Sequence, residues 1–205
     1  LTSCVTEDDL VQVNPNEATE ASFWQSEADA LRGVNAIYGS LYPDGAYMRC
    51  TPILLDGKGD ESRSNSPWGA MAQVGRFASD PSNAEIYGWA YETYYQGVFR
   101  ANQALKNIPN IPFEDEDYKN RLIGQAHFMR GLYFFHLVNL FKNVPLPLEA
   151  GVLYNAQRTQ EEGWAQVYAD FEAAADKLPV SYASTGAADN GHIGRATKGA
   201  ALAYL

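Results

Sequence analysis

Leu122-Ile-Gly-Gln-Ala-His-Phe-Met-Arg-Gly-Leu-Tyr-Phe-Phe-His-Leu-Val-Asn-Leu-Phe-Lys-Asn-Val-Pro-Leu-Pro147 reads as one long amphipathic helix with an abrupt end. Apolar side chains recur at Leu122, Ala126, Met129, Tyr133, Leu137 and Leu140, in steps of four, three, four, four and three. On a 3.6-residue helix those steps keep all six on one stripe. Lys142 falls in the expected last turn, where a cation faces the negative end of the helix dipole. Pro145 forbids continuation, because its ring clashes with the preceding turn and it has no N–H to donate.

The same stop signal occurs twice more. Lys106 precedes Pro109 and Lys177 precedes Pro179, so the three prolines are spaced 36 and 34 residues apart. Each closes a helical stripe. One runs through Ala90, Tyr94, Val98, Ala101, Leu105 and Ile108, another through Trp164, Tyr168, Phe171, Ala175 and Leu178. An earlier, less regular stripe holds Ala30, Val34, Ile37 and Leu41, and a last helix is expected to start near Arg195. The even spacing hints at a helical array. Each interval holds one long helix rather than two, so the pattern predicts an all-α fold of long antiparallel helices.

Composition narrows the function classes. A chain of 205 residues with 46% hydrophobic and 13% aromatic content can bury a sizeable core in one domain. Its net charge of -10 and the absence of a Lys/Arg cluster argue against nucleic-acid binding, which needs cations to neutralise phosphates. No run reaches the ~18 apolar residues of a membrane span. Thirteen tyrosines exceed ordinary need, and helix packing with the hydroxyl at an edge explains most of them.

The first residues, Leu1-Thr-Ser-Cys4, read like the end of a lipoprotein signal peptide and its lipidated cysteine. Several acyl chains on Cys4 would anchor the protein to a membrane, each buried methylene adding about 0.8 kcal/mol. Glu7-Asp8-Asp9 follows, which by resemblance to other lipoproteins looks like a surface-export signal and by composition alone is a solvated acidic tail. Residues 1–22 are thus expected to be a signal remnant and acidic tether, and 23–205 a helical domain truncated at its C-terminus. Cys50, the one other cysteine, fits packing better than chemistry.

About 41 residues separate Tyr42 from Ala84. Loops this long inside a compact domain are usually functional or disordered. This one holds Tyr47, Arg49, Asp60, Arg63, Asn65 and Trp68, with four glycines from Gly57 to Gly75. Thr51-Pro-Ile-Leu-Leu55 could anchor it on the core. A pyranose presents C–H faces that rest on an aromatic plane and hydroxyls that take paired hydrogen bonds. Trp68 could supply the plane, with Asp60, Arg49, Arg63 and Asn65 supplying the bonds; alternatively Trp68 only pins the loop to the helices. Adjacent Asp60 and Glu61 look superficially like a glycosidase pair, but such carboxylates must flank the scissile bond about 5–9 Å apart, with one held neutral. His127, His136 and His192 have no recognisable nucleophile partner, and His136 reads as a packing histidine.

Five blocks in order resemble the SusD/RagB family, surface glycan-binding lipoproteins of Bacteroidetes. They are Cys4 with its acidic follow-on, Trp89 to Pro109, Gly124 to Phe135, Tyr168 to Pro179, and Gly194 to Ala201. Family members are typically more than twice as long. The resemblance implies tetratricopeptide-like helix pairs, a lipid anchor and a place on the outer face of the outer membrane. It implies glycan binding and handover to a SusC-like TonB-dependent transporter, with no catalysis and no required cofactor, a bound calcium being left open. In such proteins the first long loop supplies part of the ligand site, which places Trp68, Asp60 and Arg49 in comparable surroundings. A RagB-like peptide binder and a helical protein-binding scaffold stand as alternatives.

Overall fold

The computed structural model describes residues 20–62, 64–78, 84–151 and 156–205, so Cys4 and Arg63 lie outside the described residues. Its helices are α1 (Glu20–Phe23), α2 (Glu27–Gly39), α3 (Cys50–Leu55), α4 (Gly69–Gly75), α5 (Ala84–Asn107), α6 (Glu116–Phe141), α7 (Gln160–Lys177) and α8 (Lys198–Leu202). Among the described residues there is no strand, and one isolated antiparallel bridge joins Pro145 to Gln157. The fold is all-α, as the stripes predict. None of the described helices is long and apolar enough to cross a membrane.

The long helices begin where side chains can satisfy their first N–H groups. Asp115 accepts from the Tyr118 amide at the head of α6, and Thr159 with Glu162 forms a reciprocal capping box on α7. They stop near the three prolines, and Lys142 differs in detail from its expected place. It lies beyond the last turn of α6, with a left-handed φ of 62°, and its amide still reaches the Val138 carbonyl.

Two stripes are displaced from their sequence reading. α6 is buried nearly all round rather than on one face, because α5 and α2 cover one side and α7 the other. Along α7 the inner face is built on Val167, Phe171 and Ala174, while Tyr168 is 44% exposed. The rotation carries a carboxylate, Asp170, into the interior. Arg130 of α6 meets it with two parallel bonds, Nε to Oδ2 at 2.9 Å and Nη2 to Oδ1 at 2.7 Å. His127 Nδ1 lies 2.8 Å from Oδ1, and the Gln166 amide donates to Oδ2. Arg130 also donates to Asn102 of α5, whose own amide donates to the Pro147 carbonyl. Burial acts to raise the Asp170 pKa, but the His127 and Arg130 hydrogen bonds outweigh it and hold the carboxyl below its usual value.

A glycine on α5 makes room for a tyrosine of α6. The Tyr133 ring lies directly on Gly97, and its hydroxyl donates to the Ile37 carbonyl of α2 at 2.6 Å. A methyl at Gly97 would overlap that ring.

Gly97→Ala is expected to cost about 1–3 kcal/mol through overpacking. Gly39→Ala, on an exposed helix residue with nothing within 4 Å, is expected to be neutral or slightly stabilising. Urea unfolding of both variants checks the contrast, and equal effects would sink it. Asp170→Ala leaves the Arg130 guanidinium buried and unpaired, and is expected to cost about 3–5 kcal/mol in the same measurement.

Candidate functional site

The segment between α2 and α5 is not the irregular loop that its length suggests. It folds into a wide turn at Asp44–Met48, then α3, a short 3-10 turn at Asp56–Lys58, and α4. These pieces are too short to show a 3.6-residue period, so sequence pattern could not reveal them. They are anchored as Thr51-Pro-Ile-Leu-Leu55 predicts, with Thr51, Ile53 and Leu54 buried. Cys50 is buried too, and burial pushes its thiol pKa up to about 11, in keeping with packing.

One glycine brings this segment onto the helical body. Gly45 lies against the backbone of α5, where a methyl would collide with the Thr93 hydroxyl and the Trp89 carbonyl oxygen. Close by, Thr51 and Tyr94 share a hydrogen bond of 2.6 Å, and the Tyr94 ring stacks on His136 at 5.1 Å and 14°. The Tyr47 hydroxyl then meets His136 Nε2 at 2.7 Å. Tyr47 therefore turns its hydroxyl inward while remaining 44% exposed. Burial pushes the His136 pKa down to about 4, because a charged imidazole would lose its hydration among these rings. The packing role read for His136 is what the structure shows, and His127 and His192 are bound to Asp170 and Arg195 respectively.

On the outer side of this anchor the structure gathers a cluster of rings and charges. Trp68 caps the start of α4, and its backbone amide donates to Ser66 Oγ at 3.1 Å. Its indole N–H donates to Glu85 Oε2 at 2.9 Å. The Trp89 ring stands 5.7 Å away, inclined by 38°, and Trp89 is 39% exposed. Arg49 places its guanidinium carbon 5.6 Å from the centre of the Trp68 ring and pairs with Asp44 at 3.1 Å. Nearby in sequence, the Lys58 ammonium lies over Tyr87 at 5.4 Å.

Of the residues chosen from the sequence, Trp68 and Arg49 thus meet directly, and Tyr47 sits on the same anchored segment. Asp60 and Asn65 are exposed and take no part in the contacts just described. Trp89 and Glu85 were missed. In the sequence Trp89 is only the first residue of the block that runs to Pro109, although it falls off the buried stripe of Ala90, Tyr94 and Val98; Glu85 precedes it by one helical turn. That offset was the available signal.

Chemically the cluster offers aromatic faces, carboxylate acceptors and guanidinium donors. Asp60 and Glu61 follow the 3-10 turn directly and are both exposed. Among the described residues, no group of three or more His, Cys, Asp or Glu could hold a metal ion.

A family model, SusD-like and described as starch-binding and associating with the outer membrane, matches residues 12–205. The chain is 26% identical over 188 residues to SusD-like protein P38 of Formosa agariphila, covering 88% of this chain and 35% of that protein. It therefore spans about a third of the length of this curated relative. Among solved structures, a SusD superfamily protein from Bacteroides vulgatus superimposes with a TM-score of 0.75 at 27% identity, over 89% of this chain and 39% of the other. A laminarin-binding SusD-like protein gives 0.72 at 28% identity, over 87% and 39%.

The buried imidazole sets a pH dependence. Unfolded, His136 takes up a proton near pH 6.5; folded, it does so only near 4. Between those values the unfolded state binds more protons, so acid favours unfolding. This contribution is complete above about pH 6.5 and is lost as pH falls towards 4, amounting to on the order of 3 kcal/mol. Urea unfolding at pH 7 and pH 4.5 is expected to show the loss, and to show much less of it in His136→Gln. An identical loss in the variant would assign the acid sensitivity elsewhere.

Proposed function

The chain belongs to the SusD-like family, and on that premise we propose that it is part of a surface lipoprotein that binds glycan through the Trp68–Trp89 face. It hands the glycan, without covalent chemistry, to a SusC-like TonB-dependent transporter. Acyl chains on Cys4 hold it at the outer face of the outer membrane, in keeping with the family's description as associating with that membrane.

One observation carries the reading: two indoles, inclined by 38° and 5.7 Å apart, one on α5 and the other on a segment that is itself braced against α5. Aromatic planes held in place match the C–H faces of sugar rings, and they lose little entropy when a ligand arrives. Glu85 fixes the Trp68 plane by its hydrogen bond, and Arg49 backs that ring. Asp60 and Asn65 are the polar partners that this reading assigns to sugar hydroxyls, while Tyr47, its hydroxyl engaged by His136, contributes only its half-exposed ring. Amide, hydroxyl and carboxylate groups serve that purpose because hydroxyls both donate and accept. The role is one of binding alone, with no cofactor required and a bound calcium ion left open. The laminarin-binding relative makes laminarin the first glycan to try.

Isothermal titration of the full-length protein against laminarin, amylopectin, xyloglucan and galactomannan is expected to give saturable binding to at least one of them. Trp68→Ala is expected to weaken that binding by about 2 kcal/mol, roughly 30-fold. Unchanged affinity in both Trp68→Ala and Trp89→Ala would remove this face from the site. Binding to peptides with none to glycans would favour a RagB-like role.

A further inference from the structure

We propose that the Trp68–Trp89 site takes an uncharged glycan and discriminates against chains bearing sulfate or uronate groups; this rests on the glycan-binding reading above. The argument is one of charge. Between Tyr42 and Glu92 the described residues include six carboxylates, Asp44, Asp56, Asp60, Glu61, Glu85 and Glu92, against three cations, Arg49, Lys58 and Arg76. The complete sequence of that stretch adds one of each sign, Asp80 and Arg63, so the excess is unchanged.

Arg49, which touches the indole pair, and Lys58 are already engaged, and the exposed Arg76 stands at the opposite end of α4 from Trp68. Arg49 is paired with Asp44 and lies against Trp68, and Lys58 lies over Tyr87. Recognition of a sulfate or carboxylate calls for a guanidinium fork or an ammonium free to meet it. The carboxylates are placed the other way. Glu85 sits at the edge of the indole pair with one oxygen on the Trp68 N–H, and Asp60 and Glu61 are exposed on the same segment. A carboxylate is an acceptor only, so it suits the O–H donors of a neutral sugar and repels an anionic one. The chain's net charge of -10 adds to the repulsion at long range.

Matched pairs of polysaccharides test this, because sugar and linkage stay constant while charge changes. The full-length protein is titrated with laminarin, amylopectin, xyloglucan and galactomannan, with the sulfated derivative of each, and with polygalacturonate and carrageenan. The expected result is binding to at least one neutral member and at least ten-fold weaker binding to its sulfated form at low salt. That gap is expected to narrow at about 0.5 M NaCl, where the Debye length is only a few ångströms. It is also expected to narrow in the double variant Asp60→Asn with Glu61→Gln, which a purely steric effect of the added sulfates would leave untouched. Equal or tighter binding of a sulfated form, or binding confined to polygalacturonate or carrageenan, would overturn the charge inference and leave glycan binding standing. Binding to no glycan at all would overturn both.

Discussion

The Arg130–Asp170 pair is the constraint on which the rest of the molecule depends. Two charges taken out of water lose much of their hydration, so such a pair gains little stability over a well-packed apolar substitute. What it supplies is direction. A planar fork facing a carboxylate tolerates little rotation, and here the fork also holds Asn102 of α5. α5, α6 and α7 are thereby fixed in rotation and in register about one buried point. The rotation of α7 that turns Tyr168 outward follows from it, since Asp170 can reach Arg130 only from the inner face.

The same network fastens the chain that leaves α6. Val144 to Leu148 contains two prolines, which have no N–H to offer, and its carbonyls do the bonding instead. Tyr95 donates to the Pro145 carbonyl and Asn102 to that of Pro147. The proline that ends the helix therefore also starts an extended strap that closes over α5. A second buried pair repeats the device near the chain's end, where Arg121 grips Asp189 through two hydrogen bonds. There burial again acts to raise the carboxyl pKa, and the Arg121 and Thr185 bonds lower it below the usual value.

A rigid body of this kind lets a short, poorly periodic segment carry a site. The stretch between α2 and α5 could not form a core of its own. It borrows one through Gly45 against the α5 backbone, through Thr51 on Tyr94, and through Tyr47 on His136. Anchored in this way, the segment brings half-buried Trp68, itself packed against the core, beside Trp89. The loss of hydration that keeps His136 neutral belongs to the same anchor, so the acid sensitivity of the fold and the placement of the proposed site share one group of rings.

Much of this was legible in the sequence. Apolar spacing and proline stops located the four long helices, because burial along a helix repeats every 3.6 residues and proline ends it for reasons local to the backbone. The stripe of Ala90, Tyr94, Val98 and Ala101 is buried as read, and Trp68 and Arg49 were named from residue chemistry alone. Three things required the folded chain: that α6 is covered on nearly all sides, that α7 is turned by its buried carboxylate, and that Glu85 and Trp89 join Trp68. Each depends on which residues distant in sequence become neighbours. Local spacing encodes a helix's period, but rotation about its axis and the meeting of rings across a long connection are set by packing and charge pairing between elements, which no single stretch of sequence contains.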